Sequence, residues 1–241
     1  MTLSIIVPVY NEKKTILEIL KRLEMVNFDC DYEIIVVDDG STDGTTALLK
    51  SEILNPKSET SSKFQIPNSK IRIFFQNKNS GKGAALRRGF QEANGEIIII
   101  QDADLEYNPQ DLPKLIRPIL EGQADIVFGS RFLIKQKAKY KIFYLGNRLI
   151  AFLFFLFYGQ KITDPWTCYK IFKKSIVKNL KFKTNGFEME LEMTVKFLRK
   201  GYKILEMPIS YQGRTYAEGK KIKWVDGLKA IWTIIKYRFC L

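Results

Sequence analysis

The sequence EIIIIQDADLE, at residues 96–106, joins a run of four isoleucines to a group of carboxylates. Four consecutive β-branched residues after Gly95 predict a strand that is buried on both faces. Asp102 and Asp104 follow the carboxyl end of that strand. Two carboxylates about 4 Å apart repel by roughly 4 kcal/mol at an effective dielectric constant near 20, so such a pair needs a cation or a shared proton. Oxygen ligands on a short loop suit Mg²⁺ or Mn²⁺, whereas two solvated loop aspartates are the alternative that this stretch alone leaves open.

The chain before this stretch repeats a unit of strand, polar loop and helix. Apolar strands are predicted at residues 3–9, 33–37 and 71–75. Alternating β and α elements predict an α/β protein with a mostly parallel sheet flanked by helices. Ligands of such sheets bind beyond the carboxyl ends of the strands, so the polar loops should converge on one rim, which favours a metal and nucleotide site. These loops are residues 8–12, 38–43, 77–83 and 102–104.

The rest of the chain predicts further strands and helices. Strands are predicted at residues 125–128 and 204–211, and helices at about 108–120 and 186–200. Proline should bend or shorten the first of these helices, and Pro208 marks an irregular or edge strand. Residues at about 55–70 are polar and rich in proline and serine, which indicates a flexible surface insertion.

The composition indicates a folded, strongly basic protein. The 241 residues are 46% hydrophobic and carry a formal charge of +13, so an anionic partner is expected. Histidine is absent, and the three cysteines form no CxxC pair, so neither a zinc site nor a disulfide framework is indicated. The basic residues lie beside apolar stretches and form no nucleic-acid recognition module, so no nucleic-acid partner is expected. The first residues enter a strand at once, without a signal pattern, which predicts a cytoplasmic location.

Two apolar stretches leave their role open. The run at residues 149–158 is only about half of the roughly 20 residues that a membrane-spanning helix needs. Lysines at about 135–141 precede a helix predicted at about 142–158, which suits either an interfacial membrane helix or a core or dimer helix. We divide the chain into a main domain at residues 1–223 and an amphipathic helix at 224–241, which either packs on the domain or lies on a bilayer.

Eight motifs follow one another along nearly the whole chain. They are VPVYNE (7–12), VVDDGSTDGT (36–45), NKNSGKGAALRRGF (77–90), QDADLEY (101–107), GSRF (129–132), TDPWTCYK (163–170), GFEMELEM (186–193) and EMPISYQGRTYAEGKK (206–221). In this order they resemble the family 2 inverting glycosyltransferases of GT-A fold. The resemblance is greatest to the branch of dolichol-phosphate mannose synthase and the bacterial polyprenyl-phosphate hexosyltransferases.

The resemblance implies roles for individual residues on the donor side of a site. The donor's base and ribose would be bound by Pro8, Tyr10, Glu12 and Asp39. The metal and diphosphate motif is matched by Asp102 and Asp104, with Glu106 as a third metal ligand and Mg²⁺ or Mn²⁺ as the cofactor. The remaining donor-binding positions are Lys82 and the two residues of a basic loop, Arg214 and Lys220.

The acceptor side is matched by three residues. Arg131 corresponds to a residue that receives the acceptor's phosphate, and Asp164 and Glu188 correspond to acidic positions that face the acceptor. An acceptor phosphate is already an anionic nucleophile, so no strong general base is required and the absence of histidine is accounted for. An acceptor sugar hydroxyl would require Asp164 or Glu188 as the base.

The resemblance implies transfer of a hexose from a UDP- or GDP-sugar to a polyprenyl phosphate at the cytosolic membrane face. A peripheral protein bound to an anionic membrane surface, with a membrane-protein partner or a second copy of itself, is expected. Two alternatives stay open: a family 2 enzyme acting on a sugar hydroxyl of a growing glycan, and a non-catalytic nucleotide-binding partner that is peripheral to the membrane. The motifs TDPWTCYK and YAEGKK differ from the DPxSGF and GxSK forms of mannose synthase, which leaves the donor sugar and its base open.

Overall fold

The described part of the chain forms a seven-stranded sheet. The structure is a computed structural model that describes residues 1–51, 70–134, 141–215, 221 and 224–239. Its strands are β1 (Leu3–Val9), β2 (Tyr32–Asp38), β3 (Ile71–Phe75), β4 (Ile97–Ile100), β5 (Ile126–Ser130), β6 (Lys170–Lys173) and β7 (Leu205–Pro208). Its helices are α1 (Ile16–Glu24), α2 (Thr45–Leu49), α3 (Lys82–Glu92), α4 (Leu112–Leu120), α5 (Lys141–Tyr158), α6 (Lys174–Lys178), α7 (Met189–Arg199) and α8 (Trp224–Phe239).

The sheet is mostly parallel, as the alternation of elements predicts. Its strand order is β3-β2-β1-β4-β6-β5-β7, and β6 alone among these strands runs antiparallel to its neighbours. The carboxyl ends of the other six strands therefore meet at one edge, together with the amino end of β6. The prediction of an α/β fold with converging loops is confirmed.

The central strands are buried because helices cover the sheet. Every residue of β1, β4 and β5 is buried, and β1 pairs with β4 from Leu3 opposite Ile97 to Ile6 opposite Ile100. Helix α3 packs on β1 and β2, whereas α4 packs on β5 and β6. A Cβ atom at Gly89 of α3 would lie 2.3 Å from Cγ2 of Ile6, so glycine permits the close approach of helix and strand.

Some element boundaries differ from the sequence prediction. Strand β7 stops at Pro208, which has no N–H to continue the ladder, and Tyr211 forms only an isolated bridge with Tyr107. Helix α4 continues past its internal Pro118 and is preceded by a 3₁₀ turn at Pro109–Asp111. The short helix α6 was not predicted. Most of the predicted insertion at 55–70, and the lysines at 135–139, lie outside the described residues.

Helices α5 and α8 pack against each other. The hydroxyl of Tyr158 donates to the carbonyl of Ile234 at 2.9 Å, and the rings of Phe157 and Phe239 lie 6.1 Å apart. Helix α8 also packs on α7. Across residues 1–51, 70–134, 141–215 and 224–239, no helix is both long enough and apolar enough to cross a bilayer.

Candidate active site

Carboxylates gather where β4 ends. Asp102 and Asp104 follow the strand, and Leu105 turns the chain with a φ of 62°. The N–H of Glu106 donates to Oδ1 of Asp104 at 3.1 Å. Burial, together with the charges of Asp102 and Glu106, raises the pKa of Asp104 to about 7. The three carboxylates repel one another when all are ionised, so a neighbouring cation stabilises their ionised form.

Lys82 supplies one such cation. Its Nζ lies 2.7 Å from Oδ1 of Asp102 and 2.5 Å from Oε1 of Glu190, and both partners are largely buried. Gly81, with a φ of 97°, starts the helix that carries Lys82 and keeps the turn before it tight. Burial lowers the pKa of Lys82, but the two carboxylates raise it well above its usual value. Lys82 is therefore a charged group between two acidic side chains.

Glu190 is not among the residues that the sequence predicts, because the resemblance indicates Glu188. Glu188 lies at the N-cap of α7, and its Oε1 accepts the N–H of Gly186 at 3.3 Å. Two residues along a helix point about 200° apart, so Glu190 faces the other side and makes the contact with Lys82. The signal that could have found it is an acidic residue among buried helix positions, because such a residue must have a charged partner.

Arg214 neutralises the same cluster from the segment after β7. Its Nη1 and Nη2 lie 3.1 and 3.2 Å from the carboxylate oxygens of Glu12, and Nη2 lies 3.2 Å from Oδ2 of Asp104. Its backbone N–H donates to Oε1 of Glu106 at 2.8 Å. Residues predicted from three distant motifs are therefore in contact. Lys220 lies outside the described residues, whereas its neighbour Lys221 places Nζ 2.7 Å from Oε1 of Glu12.

The remaining predicted donor residues line the same rim. Pro8 is buried within β1, and the carbonyl of Tyr10 accepts a hydrogen bond from Lys221. Asp39 is buried and accepts the N–H groups of Ser80 at 2.9 Å and Gly81 at 2.7 Å. The Asp39 carboxylate therefore fixes the turn that leads into α3.

Arg131 and Asp164, which were predicted separately, form a buried ion pair. Nε and Nη2 of Arg131 donate to the two oxygens of Asp164 at 2.6 and 2.7 Å, and the Arg131 N–H donates to Oδ2 at 3.0 Å. Asp164 is fully buried. Burial lowers the pKa of Arg131, but the Asp164 charge raises it well above its usual value. Because three hydrogen bonds hold it, Asp164 is better placed to orient Arg131 than to accept a proton.

Tyr211 lies between the carboxylate cluster and Arg131. Its hydroxyl donates to Oε2 of Glu106 at 2.5 Å, and Cζ of Arg131 lies 4.9 Å from the centre of its ring. The Tyr211 side chain therefore contacts both the Arg131 guanidinium and the carboxylate cluster. The arrangement places a fixed positive group beside a site of excess negative charge.

The carboxylates present a donor set that suits a hard divalent cation. Oxygen atoms of Asp102 and Glu190 and the sulfur of Cys168 lie within 4.8 Å of one another. Burial raises the pKa of the Cys168 thiol well above its usual value, so this thiol does not favour binding as a thiolate. Among the described residues Asp104 and Glu106 form no such group with Asp102, so these three carboxylates as ligands of Mg²⁺ or Mn²⁺ stay a prediction from the resemblance.

Sequence comparison gives the family to which a chain with this sheet and rim belongs. Residues 4–181 match the model of the family described as Glycosyl transferase family 2. The chain therefore belongs to that family.

Two relatives act on dolichyl phosphates according to their names. The chain is 29% identical over 245 residues to the dolichol-phosphate mannosyltransferase of Pyrococcus furiosus, an alignment that covers 98% of this chain and 64% of that protein. It thus spans less than two thirds of that relative's length. It is also 29% identical over 240 residues to the UDP-N-acetylglucosamine–dolichyl-phosphate N-acetylglucosaminyltransferase of Methanococcus voltae, covering 96% of this chain and 94% of that protein.

Solved structures share the fold. The glucosyl-3-phosphoglycerate synthase of Mycobacterium tuberculosis, crystallised with Mn²⁺, UDP and phosphoglyceric acid, superposes with a TM-score of 0.73 at 19% identity. The match covers 100% of this chain and 79% of that chain. The same enzyme has been crystallised with Mg²⁺ and UDP. The GT-A fold predicted from the resemblance is confirmed.

Proposed function

We propose that this glycosyltransferase moves a hexose from a UDP- or GDP-linked sugar to a polyprenyl phosphate and inverts the anomeric centre. The names of the dolichyl-phosphate relatives support this reaction. The observation that carries the proposal is the placement of Arg131, which Tyr211 connects to Glu106 of the carboxylate cluster. A phosphate bound to Arg131 would lie beside a sugar diphosphate bound at the cluster.

The donor side would bind the nucleotide sugar through its diphosphate and its nucleoside. Lys82 and Arg214 are the cations available to the diphosphate, and we assign the nucleoside to Pro8, Tyr10 and Glu12 at the same rim. Asp39 fixes the turn before α3, so we propose that it determines the shape of the nucleoside pocket. A bound Mg²⁺ or Mn²⁺ would compensate the charge of the departing nucleoside diphosphate, and Asp102, Asp104 and Glu106 are the residues that would hold it.

The acceptor side requires no general base. An acceptor phosphate oxygen forms the bond to the anomeric carbon while the bond from that carbon to the nucleoside diphosphate breaks, and no proton is transferred. Arg131, held rigidly by Asp164, would bind and orient the attacking phosphate. A sugar hydroxyl would need Asp164 or Glu188 as its base: Asp164 is held in the ion pair with Arg131, whereas Glu188 accepts the backbone N–H of Gly186 and is the residue that this alternative requires.

The test is transfer of label from a panel of UDP- and GDP-sugars to a water-dispersible polyprenyl phosphate, with Mg²⁺ or Mn²⁺ and with EDTA as the control. We expect one donor to give a glycolipid only when the metal is present. Donor hydrolysis without a glycolipid would refute the lipid acceptor and favour a glycan hydroxyl. No turnover of any donor despite nucleotide binding would favour the non-catalytic alternative.

The location at a membrane is also a proposal, and it rests on the surface formed by α5 and α8. Both helices expose apolar side chains at intervals of three, four or seven residues, which gives each helix one apolar stripe. The stripes comprise Leu145, Leu149, Phe152 and Leu156 of α5, and Val225, Leu228, Trp232 and Phe239 of α8. Exposed basic residues accompany them, namely Arg148, Lys161, Lys229, Lys236 and Arg238. Apolar stripes bordered by cations suit the interface of an anionic bilayer.

Vesicle flotation tests this location. The protein should float with vesicles of phosphatidylcholine and phosphatidylglycerol, and less with phosphatidylcholine alone. Trp232→Ser should weaken binding, whereas Met25→Ser, which changes an equally exposed apolar residue outside α5 and α8, should not. Dimers in solution that Trp232→Ser dissociates, without vesicle binding, would instead assign the surface to a second copy of the chain.

A further inference from the structure

Glu206 of β7 holds two consecutive backbone N–H groups. Its Oε2 accepts the N–H of Thr163 at 2.7 Å, and its Oε1 accepts the N–H of Asp164 at 2.9 Å. Both oxygens of one partly buried carboxylate are thus used on one short stretch of chain. Hydrogen bonds to an ionised acceptor are about twice as strong as neutral ones, so Glu206 is a strong restraint on this stretch.

The stretch that Glu206 restrains carries the partner of Arg131. The Asp164 carboxylate makes three hydrogen bonds to Arg131, as described above. The Thr163 hydroxyl lies 2.6 Å from the Ser130 hydroxyl, and the Thr163 carbonyl accepts from Nδ2 of Asn147 at 2.8 Å. Residues of β5 and α5 therefore both contact Thr163. A shift of this stretch would move Asp164 and, with it, the Arg131 guanidinium.

We propose that Glu206 is a positioning residue of the acceptor site, which acts by fixing Asp164 and thereby Arg131. The inference rests on the proposed function, in which Arg131 receives the acceptor phosphate. Glu206 belongs to no part of the predicted site, because its motif position before Pro208 indicates only a strand. Its effect should therefore fall on the acceptor and leave the donor unaffected.

The chain contains a matched control in Glu192 of α7. This buried glutamate also accepts two consecutive N–H groups, from Lys183 at 2.9 Å and Thr184 at 2.8 Å. The adjoining Asn185 carbonyl accepts the N–H of Gly83 at 2.6 Å, at the start of the helix that carries Lys82. Glu192 thus restrains the donor side through two backbone N–H groups as Glu206 restrains the acceptor side, and it also forms an ion pair with Lys196 at 2.5 Å.

The informative substitution is Glu206→Gln. A glutamine offers one acceptor oxygen, and its NH₂ group faces a backbone N–H that can no longer be satisfied. The resulting shift of Asp164 should cost Arg131 about one hydrogen bond to the charged acceptor phosphate, which corresponds to a roughly tenfold loss of acceptor affinity. Glu206→Asp keeps the charge but shortens the reach by one methylene, so an intermediate loss is expected. It also serves as the second variant if Glu206→Gln does not fold.

The experiment measures the Kd of farnesyl phosphate, a short polyprenyl phosphate, and of UDP and GDP by titration calorimetry. Wild type, Glu206→Gln, Glu206→Asp, Arg131→Gln and Glu192→Gln are compared after circular dichroism has shown that each is folded. We expect the two Glu206 variants and Arg131→Gln to lose affinity for farnesyl phosphate and to keep nucleotide affinity. Glu192→Gln should show the reverse.

The outcomes separate this inference from the proposed function. If wild type does not bind farnesyl phosphate, the lipid-phosphate acceptor is wrong and the role of Glu206 is wrong with it. If wild type binds and Arg131→Gln does not, but folded Glu206→Gln and Glu206→Asp bind like wild type, the function stands and the positioning role is refuted. Equal losses of both ligands in the Glu206 variants would indicate a merely structural role and would refute it as well.

Discussion

Replacing Asp164 with asparagine should destabilise the protein, because it leaves the Arg131 charge without its counterion. Asp164 is fully buried, and the Arg131 side chain is 18% exposed. An asparagine oxygen can keep two of the three hydrogen bonds, but its NH₂ group then faces a guanidinium N–H. The substitution removes a charge and sets two donors against each other, while the volume of the side chain is nearly unchanged.

The expected loss follows from what buried ion pairs cost when one partner is neutralised. Such changes typically cost about 3–5 kcal/mol of unfolding free energy. We expect the lower end, about 3 kcal/mol, because Arg131 keeps some exposure and still lies on the Tyr211 ring. A chain of this size loses roughly 2–4 °C of Tm per kcal/mol, so the Tm should fall by about 6–12 °C.

Thermal unfolding at neutral pH in EDTA is the assay, with Asp125→Asn as the control. Asp125 pairs with Lys173 at 2.6 Å, but the side chains are 49% and 33% exposed. An exposed pair contributes about 0.2–1 kcal/mol, so this control should melt within about 4 °C of wild type. If Asp164→Asn melts as close to wild type as the control does, the pair is not the buried restraint described above. The double variant with Arg131→Gln should also lose less than the sum of the two single losses.

Three further predictions concern the carboxylate cluster. Asp104→Asn should abolish metal-dependent transfer while the melting curve in EDTA stays near that of wild type, and unchanged transfer would remove Asp104 from the metal site. Arg214→Gln should bind Mn²⁺ several-fold more tightly in the absence of nucleotide, because the cation that competes with Mn²⁺ for Asp104 is removed. Electron paramagnetic resonance measures this affinity, and weaker Mn²⁺ binding would contradict competition between Arg214 and the metal. Lys82→Met should lower the unfolding free energy by about 3 kcal/mol in urea titrations, because Asp102 and Glu190 lose their shared cation, and a loss below about 1 kcal/mol would contradict that pairing.

The sequence was most informative where local pattern and topology agree. An apolar stretch rich in β-branched or aromatic residues predicts a strand without reference to the rest of the chain, so β1, β3 and β4 lie where they were expected. Once the sheet is known to be parallel, the ends of its strands must share an edge, so contacts such as that between Glu12 and Arg214 follow in outline. The topology does not show which residues each side chain at that edge contacts.

The residues that the sequence did not identify act through a second side chain or the backbone. Glu190 depends on the rotation of α7, which an error of one or two residues in the helix start would reverse. Glu206 acts on backbone N–H groups more than 40 residues away, and no local pattern marks such a contact. The pairing of Asp164 with Arg131 is similarly non-local, although both residues were selected.

The ion pairs of the buried carboxylates also suggest how their negative charge stays neutralised when the donor binds. Lys82 pairs with Asp102 and Arg214 pairs with Asp104, although both cations are proposed to contact the donor diphosphate. A buried charge that loses its partner is costly, so each carboxylate can release its cation only when another positive charge replaces it. A divalent cation held by Asp102 and Asp104 would free Lys82 and Arg214 for the diphosphate. Metal and donor binding should therefore favour each other, and UDP or GDP should raise the affinity for Mn²⁺ less in Arg214→Gln than in wild type.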